Sequence, residues 1–201
     1  MIARRALLAG PLLLALPAAA ATPPDHAAAD RADIARIGAW LNALRSLKAR
    51  FIQAADSGQI SRGTAWLVRP GRMRFEYDKP SPLLLVAGGG QLTFHDSELG
   101  QTTTIPLART PLGILLAERI DLDDGSLKIL AVERDAGLIS LTLTRAATPG
   151  EGSLTLIFRD RPLLLAQWIV TDAQRRQTRV SLSDMQFGGT YPDSLFSVGD
   201  Q

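Results

Sequence analysis

Residues 63–80, GTAWLVRPGRMRFEYDKP, decide the fold. They read as two antiparallel strands joined by a turn at Pro70-Gly71. In the second arm Arg72, Arg74 and Glu76 fall on one face and Met73, Phe75 and Tyr77 on the other. This is the period-two alternation of a strand with one wet and one apolar side. In the first arm Trp66 shares a face with Thr64 and Val68, while Leu67 shares the opposite face with Ala65 and Arg69. One arginine therefore stands at the end of an otherwise apolar row.

Most of the chain downstream of Lys48 continues in this style. Strands are expected at Lys48 to Ala55, Gln59 to Arg69, Arg72 to Asp78, Pro82 to Ala87, Gln91 to His95, Gln101 to Ile105, Leu127 to Arg134, Leu138 to Arg145, Ser153 to Phe158, Leu163 to Thr171 and Gln177 to Phe187. Turn residues such as Gly88-Gly89-Gly90 and Asp135-Ala136-Gly137 separate them. Pro192 to Phe196 is a short closing element. Two helices interrupt the pattern. Ile34, Ile37, Leu41 and Leu44 recur at three- and four-residue steps, an amphipathic stripe that Asp30 or Asp33 can cap. Thr110 to Ala117 offers a cap residue, Pro111 at the first helical position and a dense apolar run. Hairpin-length connections make the sheet antiparallel, and a sheet of about eleven strands must curl, close or split. The expected fold is mainly β: an unclosed antiparallel β-barrel of about eleven strands, with the N-terminal helix and the short mid-chain helix as lid or plug.

Residues 1–21 read as a cleaved signal peptide, with Arg4 and Arg5 at its start, an apolar run from Ala6 to Leu16 and a small-residue cleavage site in Ala18 to Ala21. The run is short against the roughly twenty residues of a spanning helix. The general secretory route is expected, and the paired arginines leave the twin-arginine route open. Residues 22–29 read as a flexible Pro/Ala tether and 30–201 as one domain. The formal charge is +2, from 22 Lys and Arg against 20 Asp and Glu. Without Arg4 and Arg5 the remainder is near neutral, so charge gives no argument for nucleic acid or an anionic membrane as partner.

The chain has no cysteine and two histidines, His26 and His95. That excludes a disulfide scaffold, a thiolate metal site and a cysteine nucleophile, and leaves too few ligands for a closed zinc site. His95 precedes Asp96, but neighbours on a strand point to opposite faces, so a surface histidine is the simpler reading than a catalytic one. Asp121, Asp123 and Asp124 before Gly125 lack calcium-loop spacing and read as a solvated turn. No catalytic residue, metal or cofactor is assigned. The positive signal is the number of apolar side chains on alternating strands, which form either a plain core or the lining of a ligand cavity.

In order along the chain, the helix with Leu47-Lys48-Ala49-Arg50-Phe51-Ile52-Gln53, the Gly63 to Gly71 run, Met73 to Tyr77, Pro80, the Val86 to Gly90 turn, Leu92-Thr93-Phe94, Thr110-Pro111-Leu112 with Leu115-Leu116, Gln167 to Asp172 and Phe196 resemble the outer-membrane lipoprotein carrier family, LolA. The set covers nearly the whole chain after the tether. Phe75 stands where a tryptophan is common, three glycines replace the usual Asp-Gly, and the Gln59 to Arg62 region is short; these departures bear on cargo preference. The resemblance implies a monomeric periplasmic carrier that takes acylated lipoproteins from an inner-membrane lipoprotein-releasing ABC transporter to the outer membrane, where a receptor is a further candidate partner. It implies a lipid-binding interior of Leu67, Met73, Phe75, Tyr77, Leu92, Phe94, Leu112, Leu115, Leu116, Leu141, Leu143, Leu156 and Trp168, and makes Arg69 the latch that holds the lid. Receptors of the same fold carry an acylated cysteine, so a cysteine-free chain fits the carrier. A carrier of another lipid, such as a glycolipid or hopanoid, and an exported hydrolase using His95 are the alternatives.

Overall fold

The computed structural model describes residues 24–199. The signal-peptide reading at 1–21 and the start of the tether lie outside them. Eleven strands form one antiparallel sheet: β1 (Ser46–Ala55), β2 (Ile60–Val68), β3 (Arg72–Tyr77), β4 (Leu83–Gly88), β5 (Gln91–Asp96), β6 (Gln101–Pro106), β7 (Leu127–Asp135), β8 (Leu138–Arg145), β9 (Ser153–Arg159), β10 (Leu164–Thr171) and β11 (Gln177–Phe187). Their order is β6-β5-β4-β3-β2-β1-β11-β10-β9-β8-β7. The single long-range pairing is β1 with β11, and it joins two meanders into one curled sheet. The outermost strands, β6 and β7, do not pair, so the barrel stays open. Segment 107–126, which links these two rims, carries a 3₁₀ turn at Leu107–Arg109 and the short helix α2 (Leu112–Leu115).

Register sets the faces. Leu47↔Leu67, Ala49↔Ala65, Ala65↔Phe75 and Leu67↔Met73 are opposite pairs and share the inner side. The same phase runs through Trp168↔Leu156, Val170↔Leu154, Leu141↔Leu156 and Leu143↔Leu154 on the other half. Phe51 packs its ring on Phe75 at 4.5 Å and edge-on to Tyr77 at 5.3 Å. Gly63, opposite Tyr77, makes room: a Cβ there would lie 2.1 Å from the Glu76 carbonyl and 2.7 Å from the Phe51 ring. On the outer side the 3₁₀ turn Asp193–Phe196 lies on β3 and β4, with Arg72 over the Phe196 ring and Arg74 donating to the Leu195 carbonyl.

Helix α1 (Pro24–Ala43) starts earlier than the sequence suggests. Residues 24–29, read as part of a disordered tether, are helical. The reading failed because it asked for apolar periodicity, whereas Ala28 and Ala29 are solvent-exposed, and alanine forms helix without any buried face. Asp30 and Asp33 accordingly lie inside the helix and cap nothing. Both take Arg134 of β7, at 2.8 and 2.6 Å, and Asp33 also takes Arg36 at 2.9 Å. These pairs, with Ile37 and Leu41 buried and Trp40 edge-on to Phe158 at 5.3 Å, seat α1 on the inner side of the β7–β10 half. Helix α2 is a single turn, shorter than expected. Pro111 occupies the cap position with no side-chain bond, and the Thr110 hydroxyl donates back to the Leu107 carbonyl at 2.9 Å.

Candidate functional site

The inner face of the sheet is filled. Leu67, Met73, Phe75, Tyr77, Leu92, Leu141, Leu143, Leu156 and Trp168 are buried in one apolar cluster together with Leu112, Ile114, Leu115 and Leu116 of the linking segment. The linking segment is therefore not merely above the interior; its leucines are part of it. Phe94 differs. It faces the same side, opposite Leu85 and Thr103, but stays 39% exposed because β5 lies one strand from the rim, where Ile105 is also open to solvent. In this state Phe94 does not join the packed interior.

Arg69 stands at the end of the buried row and is 5% exposed. Its Nε donates to the Ala117 carbonyl at 2.8 Å, Nη2 to the Glu118 carbonyl at 3.3 Å and Nη1 to the Leu41 carbonyl. One planar guanidinium thus joins β2 to the last turn of α1 and to the residues just after α2, and its fixed fork suits three divergent acceptors. Two backbone bonds brace the same corner: Arg69 N–H to the Arg45 carbonyl and Gly71 N–H to the Leu116 carbonyl, each 2.8 Å. Burial, and after it the charge of Arg45, draws the Arg69 pKa below the ordinary guanidinium value. Its bonded partners are carbonyl dipoles and none is a carboxylate, so the desolvation cost of the cation is only partly offset.

A second clasp was not legible in the sequence. Asn42, on the last turn of α1, donates its amide N–H to the Ile120 carbonyl at 2.8 Å and accepts the Ile120 N–H at 3.0 Å. Both backbone groups of one residue in the linking segment are thereby held by one side chain. An asparagine at a helix end usually suggests a stop signal, and nothing local announces a partner 78 residues away. Between α1 and residues 119–123 lies an open cleft of about 610 Å³, lined by Ile34, Gly38, Asn42, Ile120, Leu122 and Ile129 among others.

His95 shares a hydrogen bond with Thr102 across β5 and β6 at 2.9 Å, a cross-strand contact on the outer side. Among the described residues no group of three His, Cys, Asp or Glu side chains could hold a metal ion.

The profile of the outer membrane lipoprotein carrier protein LolA family matches residues 42–199. This chain belongs to the LolA family. Two relatives named "Outer-membrane lipoprotein carrier protein" show the likeness at sequence level. That of Leptothrix cholodnii is 28% identical over 181 residues, covering 85% of this chain and 83% of the relative. That of Methylococcus capsulatus is 29% identical over 170 residues, covering 80% of each. Among solved structures, a DUF1329 family protein from Desulfovibrio piger aligns with a TM-score of 0.52 at 9% identity, over 83% of this chain and 95% of that one, a likeness of fold alone. The LolA match takes in the end of α1 from Asn42, the whole sheet, segment 107–126 and Arg69.

Proposed function

We propose that this LolA family member carries acylated lipoproteins through the periplasm, sheltering their acyl chains on the inner face of the open barrel. The supporting observation is the make-up of the interior. Leu112, Leu115 and Leu116 occupy it from a single helical turn, which has no stability of its own in water. What holds that turn is packing and the latch at Arg69. When it lifts, the apolar faces of β2, β3, β8, β9 and β10 become the binding surface, and the acyl chains take the place of the leucines.

Magnitudes favour such an exchange. Burying an acyl chain is worth about 0.8 kcal/mol per CH₂, so a chain of more than ten carbons gains on the order of 10 kcal/mol. Re-exposing each leucine costs about 1.5–3 kcal/mol, and loss of the latch adds to that. The opposing terms bring net affinity down to a range from which cargo can leave for another apolar site. A carrier that buried the same chains in a permanently empty cavity would hold them too firmly to deliver. The inner-membrane releasing transporter would supply cargo by direct hand-over, and an outer-membrane receptor that binds more tightly would receive it.

The test is release of radiolabelled lipoprotein from spheroplasts into the soluble fraction on addition of the purified protein. Soluble, stoichiometric complex is expected. Failure to solubilise any acylated protein, together with a co-purifying glycolipid or hopanoid identified by mass spectrometry, would replace this reading with a carrier of another lipid.

A further inference from the structure

Three arginines point from the sheet towards its inner side. Arg69 is held by three carbonyls and Arg134 by two aspartates of α1. Arg145, at the end of β8 opposite Leu127, is half-buried in the same phase as Leu143 and Leu141. Yet among the described residues its guanidinium has no hydrogen-bond partner; burial lowers its pKa, opposed by the charge of Glu151. Its nitrogens keep some contact with solvent, so this partly desolvated cation has donors left for an incoming acceptor.

Its surroundings are built closely around it. A Cβ at Gly113 of α2 would lie 2.6 Å from Nη2 of Arg145, so glycine there lets the guanidinium lie against the lid backbone. A cavity of about 220 Å³ opens beside it, walled by Ile114, Ala117, Ile120 and Leu127. That is below the roughly 300 Å³ at which sites for whole ligands begin, so it suits a group and not a molecule. The neighbouring carboxylates are occupied: Asp121 takes the N–H groups of Asp123 and Asp124 and pairs with Arg119, Asp124 takes the Ser126 N–H, and Glu151 takes the Thr148 hydroxyl and pairs with Arg109. With Arg119 and Arg145 set against Asp121 and Asp124, the cavity lining carries no net charge, which gives an anion no advantage and suits a neutral, oxygen-rich group.

We propose that Arg145 and this small cavity form a polar subsite for the ester or amide carbonyl oxygens that link the acyl chains of the cargo to its head. This rests on the carrier reading and adds to it the point at which the lipid's polar linkage is fixed, next to the lid. Acyl tails on the inner faces of β8 and β9 would leave their carbonyls at the strand ends, where Arg145 stands.

The test is displacement of a neutral naphthylamine dye by two synthetic ligands, a dipalmitoylglyceryl-cysteine peptide and its dihexadecyl ether analogue, which lacks the ester carbonyls. Palmitate is a third arm. The intact protein should bind the ester about tenfold to a hundredfold more tightly than the ether, as expected for hydrogen bonds to a charged group. In Arg145→Met the preference should vanish with ether binding unchanged, and Arg145→Lys should keep part of it. A preference that persists in Arg145→Met, or none in the intact protein, overturns the subsite while leaving the carrier reading intact. A loss confined to palmitate would make the site an anion site and overturn the carbonyl assignment. Binding of none of these ligands would sink the carrier reading and the subsite together.

Discussion

The Nε of Arg69 and the carbonyl oxygen of Ala117 lie 2.8 Å apart, and this bond ties the end of β2 to the residue on which the lid segment leaves α2. Replacing Arg69 by leucine removes the proposed latch but also relieves a buried cation whose partners are dipoles. Hydrogen bonds to a charged group are worth about 1.5–3 kcal/mol each, and the desolvation penalty is of several kcal/mol, so the two largely cancel in global stability. The Arg69→Leu protein should melt within a few degrees of the parent. Amide exchange over residues 112–122 should nevertheless speed up at least about tenfold, with cargo transfer altered. Arg69→Lys, a point charge without the fork, should fall between. Unchanged exchange in Arg69→Leu would remove the latch role.

Asn42 makes a sharper case because its bonds carry no charge. Asn42→Ala leaves both backbone groups of Ile120 without their side-chain partner. The expected cost is about 2 kcal/mol in global stability, with faster exchange centred on 118–123 and little change in the sheet. Asn42→Asp retains the acceptor, loses the donor and sets a carboxylate against the Ile120 carbonyl, so it should be at least as damaging. Denaturant unfolding of both variants measures this.

Gly63 is required for space. Its partner strand and the Phe51 ring occupy the position of any Cβ, and Phe51 is itself fixed by Phe75 and Tyr77. Gly63→Ala should cost about 3 kcal/mol, the upper range for overpacking. Gly58→Ala, at a turn with nothing within 4 Å but a positive φ, should cost less. Comparable losses at the two sites would refute the packing argument.

Tyr77 gives the pH dependence. Burial raises its phenol pKa, and the phenol O–H donates to the Gln53 side-chain oxygen at 3.0 Å. A group whose pKa is raised on folding contributes stability that is complete below its unfolded value, about 10 for a phenol, and is lost as pH rises through the folded value. Stability should therefore fall on the alkaline side, and Tyr77→Phe should flatten that fall. Absorbance of phenolate at 295 nm should show one tyrosine titrating above the ordinary phenol range that is missing in the variant. An alkaline limb unchanged in Tyr77→Phe would count against this.

The sequence was most legible where periodicity carries the signal. Met73, Phe75 and Tyr77 alternate without interruption, and all three are buried on the face assigned to them. Strand limits fall within a residue or two of those expected, and the open eleven-stranded sheet is as anticipated. Arg69 could be singled out because it breaks an apolar row. What was illegible depends on contacts across the chain. Asn42 has no pattern around it, and its role comes from Ile120. Arg145 reads as an ordinary strand-end residue until β8 and α2 are brought together. Asp30 and Asp33 look like caps because a carboxylate near a helix start usually is one; Arg134, a hundred residues on, recruits them instead. Phe94 has the right phase but sits too close to the rim to be covered.

Segment 107–126 runs from one unpaired rim of the sheet to the other, so the proposed lid is leashed at both ends. Lifting it breaks no strand pairing and cannot shed it from the molecule. Its return is therefore unimolecular and insensitive to dilution. Because a chain can extend only about 3.3–3.6 Å per residue, spreading the two rims also takes up slack in the leash. A partner that pries β6 from β7 would tug Leu115 and Leu116 out of their seats without touching them.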